Sequence, residues 1–217
     1  MNRGHGCLFA ALALLVASCG SQSITLRPEP RSFTATDYER IYKAWTKDAD
    51  EFAFGRLSDV LNATATFQSW ELRWAYVVRY ASDHGLATDA RAEMLRASLA
   101  DAEAHHRFFV TLSGQNYRES DITGDHSAWR IVLVDEDGAQ TVPIEVEKVD
   151  RPDAATRTYF PSVSPFRHAF RIVFPARRPD GSPTISPDAS HVLLRFTGPL
   201  GAVDLRWEFN GGAGGGQ

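Results

Sequence analysis

The chain has 217 residues, of which 43% are hydrophobic, and its 23 basic and 27 acidic residues give a formal net charge of -4. This apolar content is sufficient for an adequate hydrophobic core in a chain of this length. The slightly acidic balance argues against a basic footprint for nucleic acid, so we expect no nucleic-acid partner.

The first nineteen residues have the three-part pattern of a secretory signal. Arg3 precedes an apolar run over residues 8–17, and small residues lead to the cysteine in Val16-Ala17-Ser18-Cys19. The run is too short to be a membrane span. We therefore predict a signal peptide over residues 1–18.

Small residues directly before a cysteine resemble the lipobox of bacterial lipoproteins, and the resemblance covers residues 1–20. It implies cleavage before Cys19, acylation of the Cys19 thiol and of the new amino terminus, and therefore a membrane partner through a lipid anchor. Gly20 stands where lipoproteins retained in the inner membrane often carry Asp, which implies the outer membrane, facing the periplasm. The alternative is an ordinary cleaved signal followed by a coincidental cysteine.

The two cysteines of the chain are Cys7 and Cys19. The first would be removed with the signal and the second acylated. We therefore expect no disulfide and no thiolate chemistry in the mature protein.

Residues 19–33 lack periodicity and contain Pro28 and Pro30, which predicts a flexible tether. Residues 34–107 are predicted to form a layer of about three antiparallel helices. The first follows a capping box at Thr36-Asp37-Tyr38-Glu39, and its apolar spacing continues to Phe52.

The second predicted helix covers residues 57–84, with a break near 62–66, and ends at Gly85 in a left-handed cap. The third begins at Thr88-Asp89 and ends around His106.

Apolar residues alternate with period two after Arg107, which predicts an antiparallel β-domain over residues 108–210. The overall prediction is an α+β fold with an immunoglobulin-like β-sandwich or an open barrel, based on strand number and spacing. Asp135-Glu-Asp-Gly138 predicts a hairpin turn. Alternation over 203–209 predicts that Trp207 is buried between the exposed Arg206 and Glu208. Residues 211–217 are glycine-rich and are predicted to be a disordered tail.

Metal sites are weakly indicated, and we predict no metal and no cofactor. Asp101 and His105 stand four apart on the third predicted helix, where a histidine at a helix end is the simpler explanation. Two loops, Asp121-Ile-Thr-Gly-Asp125 and Asp135-Glu-Asp-Gly138, carry paired aspartates beside glycine. Neither has the downstream glutamate of a calcium loop, so turn chemistry explains both.

The sequence indicates no catalytic residue. It has no Gly-x-Ser-x-Gly elbow and no Ser-x-x-Lys, while Asp125-His126-Ser127 are adjacent and would point apart. A pair of carboxylates for glycan hydrolysis stays open, because their separation depends on the fold.

Aromatic and arginine side chains form the possible binding surface. Trp70 and Trp74 are one helical turn apart. Tyr76 and Tyr80, which flank Arg73, have the same spacing. The favoured alternative is that the tryptophans are buried in the core. Arg167 and Arg171 share one strand face, where pairing with neighbouring carboxylates is the favoured alternative to a basic stripe for lipid phosphate or an acidic polymer. The predicted surface comprises Trp70, Arg73, Tyr76, Tyr80, Arg167 and Arg171.

This layout is similar to that of Gram-negative envelope lipoproteins without an assigned activity. The leading hypothesis is a lipid-anchored envelope protein with a non-enzymatic binding or scaffolding role toward an envelope protein or glycan. The alternatives are an envelope hydrolase acting on glycan or peptide and a carrier of a small apolar ligand. A polar cleft with converging carboxylates would favour the hydrolase, an enclosed apolar cavity the carrier, and a flat aromatic patch the scaffold.

Overall fold

A computed structural model describes residues 24–29, 31–53, 58–124 and 127–209, with the side chains of 52, 53, 58 and 59 omitted. In these ranges the chain combines α-helices with two antiparallel sheets, so the α+β class is confirmed. None of the helices in these ranges is both long and apolar enough to cross a bilayer. The predicted signal peptide, Cys19 and the glycine-rich tail lie outside the described residues.

The elements, in chain order, are α1 (Tyr38–Trp45), β1 (Thr46–Ala53), β2 (Ser58–Phe67), α2 (Trp70–His84), α3 (Thr88–Ala104), β3 (His105–Ser113), β4 (Arg130–Asp135), β5 (Gln140–Thr141), β6 (Glu145–Lys148), α4 (Ala154–Tyr159), β7 (His168–Pro175), β8 (His191–Gly198) and β9 (Gly201–Glu208). The first sheet has the strand order β1-β2-β3-β7-β6. The second has the order β5-β4-β8-β9.

Helix α2 has clear signals at both ends. The Ser69 side chain accepts a hydrogen bond from the Leu72 amide at 3.3 Å, which satisfies a free N–H of the first turn. Gly85 ends the helix with φ of 60°, as the sequence predicted. The hairpin turn at Gly138 is likewise confirmed, because its φ is 83° and its amide donates to the Asp135 carbonyl at 3.0 Å.

The prediction of helix across residues 46–53 and 58–67 is wrong, because these segments are β1 and β2. Leu61, Ala63, Ala65 and Phe67 are all at most 2% exposed, so buried residues recur with period two. Two of the four are alanines, whose small side chains give a weak periodic signal. The first sheet consequently joins strands from both sides of residue 107.

The two sheets share one hydrophobic core. Phe67 of β2 stacks on Phe108 of β3 at 4.7 Å between ring centroids, and Trp207 of β9 contacts both rings at 6.1 and 5.4 Å. The Trp207 indole N–H donates to the Trp45 carbonyl oxygen at 2.9 Å. Trp207 is 0% exposed while Arg206 and Glu208 face solvent, so the predicted orientation of this strand is confirmed.

The segment that precedes α1 is not a free tether where the structure describes it. Ile24 is only 4% exposed, and the Trp70 indole N–H donates to the Thr25 carbonyl oxygen at 3.1 Å. Arg31 forms an ion pair with the buried Glu71 carboxylate at 2.7 Å. Contacts such as those of Thr25 and Arg31 with α2 therefore hold this segment in place, and the flexible-tether prediction is wrong for residues 24–29 and 31–33.

Truncation of Trp207 tests the shared core. We expect Trp207→Ala to lower the free energy of unfolding by about 3 to 5 kcal/mol, because a large aromatic side chain leaves a cavity between the sheets. Arg206→Ala, one residue earlier on the exposed face, should change it by no more than about 0.5 kcal/mol. Urea unfolding of both variants measures the difference. Equal effects would contradict the strand orientation.

Candidate binding site

A cavity of about 530 Å³ lies on the outer face of the first sheet. Successive residues of a strand point to opposite faces, so the Phe108 ring enters the core while the side chains of Arg107 and Phe109 lie on the cavity side. Phe108 also borders the cavity. Residues of α2 and α3 form one wall, and residues of α4 form another. Its volume falls in the range of roughly 300 to 1,000 Å³ that is usual for small-molecule sites.

Aromatic rings cover much of the cavity wall. Tyr76 and Tyr80 of α2 stack at 5.8 Å, and Tyr159 of α4 meets Tyr76 edge-on at 5.1 Å. Phe160 stacks on Phe109 at 4.3 Å. Burial raises the pKa of Tyr76, so its phenol stays protonated at neutral pH. The wall therefore offers ring faces and a neutral hydroxyl.

Two hydrogen bonds fix the tyrosines that hold α4 against the helices. The Tyr38 hydroxyl donates to the Tyr159 carbonyl oxygen at 2.6 Å. The Tyr159 hydroxyl donates to the Asp83 carboxylate at 3.0 Å. Burial and this bond raise the pKa of Tyr159 to about 12. The aromatic wall is thus pre-formed by contacts within the protein.

Arg73 of α2 marks the buried end of the cavity, where its side chain is only 8% exposed. Its Nε donates to the Gln68 carbonyl oxygen at 2.8 Å. Its Nη1 donates to the Asp101 carboxylate at 2.8 Å and to the Ser98 carbonyl oxygen at 3.2 Å. Its Nη2 is buried and has no partner among the described residues.

Asp101 of α3 joins this arginine to Arg107 of β3. Arg107 donates to both Asp101 oxygens, at 2.7 and 2.9 Å, which is the bidentate geometry of strong ion pairs. The hydrogen bonds from Arg107 hold the pKa of Asp101 well below its usual range, with a further contribution from Arg73. Two guanidinium groups therefore share one carboxylate, and one positive charge is left over.

The charged groups at the mouth of the cavity already have contacts within the protein. Arg171 of β7 lies 3.2 Å from the Glu147 carboxylate, and its side chain is 45% exposed. Asp153 caps α4 by accepting a hydrogen bond from the Thr156 amide at 2.6 Å. Hydrogen bonds from Thr156 lower the pKa of Asp153, which therefore stays ionised.

A second, smaller cavity of about 260 Å³ lies between the start of α2, the end of α3 and the segment around Leu26. Trp70 and Trp74 line it. His106 also lines it, and its Nε2 is buried without a partner among the described residues. Burial lowers the pKa of His106 to about 4, and the nearby Arg73 charge acts in the same direction.

The structure distributes the six residues of the predicted binding surface over three cavities. Four of them, Arg73, Tyr76, Tyr80 and Arg171, line the large cavity. Trp70 lines the second cavity and is 7% exposed. Arg167 lines a third, of about 210 Å³, and donates to Asn62 and to the Thr111 carbonyl oxygen.

The sequence did not predict Arg107, Phe109 and Tyr159 as cavity residues. It also did not predict that Asp101 would bind the cavity residues Arg73 and Arg107. The spacing of Asp101 and His105 did bring them together, with Nδ1 at 3.0 Å from the carboxylate. The Asp101 carboxylate also binds two arginines, which indicates that its role is structural and not metal ligation.

Within the described ranges, no cluster of three or more His, Cys, Asp or Glu side chains could hold a metal ion. Asp121 pairs with Lys148 at 2.6 Å, and Asp135 accepts a hydrogen bond from the Ser186 amide at 3.2 Å. Asp125 and His126 lie outside the described residues. The observed roles of Asp121 and Asp135 are therefore those of ion pairs and turns.

No protein-family model, curated protein or solved structure matches this chain. The chemistry of the cavities is therefore the basis for assigning a function.

His106, which is half-buried with its Nε2 atom inaccessible, predicts a pH dependence of stability. The folded state keeps this ring neutral down to about pH 4, whereas the unfolded chain binds a proton below about pH 6.5. The free energy of unfolding is therefore highest above about pH 6.5 and decreases as the pH falls toward 4. At pH 5 it is lower by about 2 kcal/mol.

His106→Phe should remove this part of the pH dependence, as measured by urea unfolding at pH 7.5 and pH 5. His84→Phe, at an exposed position, is the matched control and should keep the wild-type difference. An unchanged difference in His106→Phe would show that this histidine is not buried as a neutral ring.

Proposed function

We propose that this protein is a lipid-anchored envelope protein that binds a small amphipathic ligand in the large cavity and does not act on it chemically. The observation that carries the proposal is the cavity itself. It has the volume of a small-molecule site, aromatic rings along its wall and guanidinium groups at both ends.

Asp153, which lines the cavity, and Asp101, which binds two of its arginines, favour binding over hydrolysis. A hydrolase with two carboxylates needs one of them to keep its proton, which requires a raised pKa. Asp153 has a lowered pKa and caps a helix, and Asp101 is ion-paired with two arginines. Both are therefore ionised and engaged in structural contacts.

The arrangement of the sheets supports a β-sandwich in preference to an open barrel. Trp207 of the second sheet packs on Phe67 and Phe108 of the first, so two inner faces meet in one core. The immunoglobulin-like topology stays a prediction.

The packed segment before α1 limits how far the folded residues could lie from a lipid anchor at Cys19. Cys19 precedes the buried Ile24 by five residues, and an extended chain spans at most about 3.6 Å per residue. An acylated Cys19 would therefore keep the body within about 18 Å of the lipid surface. We propose the outer membrane, facing the periplasm, as that surface.

Acylation of Cys19 is directly testable. Mass spectrometry of the amino-terminal peptide from a Gram-negative host should show acyl chains on Cys19, and Cys19→Ser should move the protein from the membrane to the soluble fraction. Cys7→Ser is the matched control, because this residue lies in the segment predicted to be removed. An unmodified Cys19 in processed protein would contradict the anchor.

The ligand site is tested with the uncharged fluorescent probe N-phenyl-1-naphthylamine. We expect Tyr76→Ala to weaken its binding up to about tenfold, because a ring contact contributes roughly 0.5 to 1.5 kcal/mol beyond buried area. Fluorescence titration of folded protein measures the dissociation constant.

Trp74→Ala is the control for that titration, because Trp74 lies on the same helix but lines the second cavity. Its affinity for the probe should equal that of the wild type. Loss of binding in Trp74→Ala with normal binding in Tyr76→Ala would move the site to the second cavity and contradict the proposal.

A further inference from the structure

Arg73, which lines the large cavity, keeps one hydrogen-bond donor without a partner among the described residues. Arg73 Nη2 is buried and unpartnered among the described residues, while the other donors of the same guanidinium bind Gln68, Ser98 and Asp101. A buried charged donor without a partner is costly, so a negative charge close to this guanidinium would stabilise it.

The charge at this end also favours an anion. Arg73 and Arg107 carry two positive charges against the single negative charge of Asp101. His106 is neutral at physiological pH because burial lowers its pKa to about 4. Glu145, the other acid that acts on Arg107, is exposed on the edge strand β6, where solvent screens its charge.

Resting on the ligand site proposed above, we infer that the ligand is an aromatic acid whose anionic group lies beside the guanidinium groups of Arg73 and Arg107. Its ring system lies against Tyr76, Tyr80 and Phe109. A carboxylate, sulfonate or phosphate meets the requirement, because each presents acceptor oxygens with negative charge to a guanidinium.

The mouth of the cavity is a poorer anion site. Arg171 is already paired with Glu147, and its exposed side chain is screened by solvent. Asp153, which lines the same region, is exposed and ionised and adds no positive charge there. The amphipathic ligand therefore enters with its charged end toward Arg73.

Two probes that differ by one sulfonate test this orientation. The first is N-phenyl-1-naphthylamine and the second is 8-anilinonaphthalene-1-sulfonate. In Arg73→Met, the sulfonated probe should bind at least about tenfold more weakly than in the wild type, because the attraction between the sulfonate and the guanidinium charge is lost. The uncharged probe should change less than about twofold.

Arg107→Met provides an independent variant if Arg73→Met does not fold. Arg107 is 33% exposed, so its removal disturbs packing less, and it should likewise weaken the sulfonated probe selectively. Arg195→Met removes an arginine of similar exposure, 35%, from the second sheet and should leave both dissociation constants unchanged.

Two results overturn the inference. One is an unchanged affinity for the sulfonated probe in the folded Arg73 and Arg107 variants. The other is selective loss in Arg171→Met alone, which would place the anion at the mouth. Failure of the uncharged probe to bind, or its insensitivity to Tyr76→Ala, would instead contradict the ligand site itself.

Discussion

The carboxylate of Asp101 is the contact on which the candidate site depends. It joins α2 through Arg73, β3 through Arg107 and its own helix α3, at distances of 2.7 to 2.9 Å. None of the 17 residues of helix α3 is fully buried, and its large apolar side chains, Met94, Leu95 and Leu99, are only half-buried. The ion cluster therefore supplies the specific attachment of one cavity wall.

Unlike an apolar contact, this attachment makes the stability of the protein depend on the pairing of a buried charge. Arg73 is almost fully buried, and removal of its carboxylate partner would leave an uncompensated charge, which destabilises proteins by about 3 to 5 kcal/mol. The same guanidinium has one donor without a partner among the described residues, and Arg73 lines the cavity. Structure and the proposed binding role thus use one guanidinium group.

The pleat of β3 separates the stable part of the protein from the candidate site. Phe108 and Val110 point into the core between the sheets and are 0% exposed. Arg107 and Phe109, on the opposite face, line the cavity. A substitution on the cavity face can alter ligand contacts while the shared core stays intact, because neighbouring residues of a strand point to opposite faces.

Local patterns in the sequence predicted the local parts of this arrangement. The spacing of Arg73, Tyr76 and Tyr80 placed three cavity residues on one helix, and Gly85 marked the end of that helix. The β1–β2 hairpin was missed, because Ala63 and Ala65 give a weak signal for alternation. The pairing of Arg73 with Asp101, 28 residues away, depends on how α2 and α3 pack. No periodicity encodes such a contact.

Hydrogen exchange measured by mass spectrometry on Asp101→Asn tests the central claim most directly, because it reports local opening of each element. If the ion cluster holds α3 against the body, amides over Thr88–Ala104 exchange faster than in the wild type, while those of β7 and β8 keep their protection. Unchanged exchange in α3 would contradict the account, because another contact would then hold this wall of the cavity.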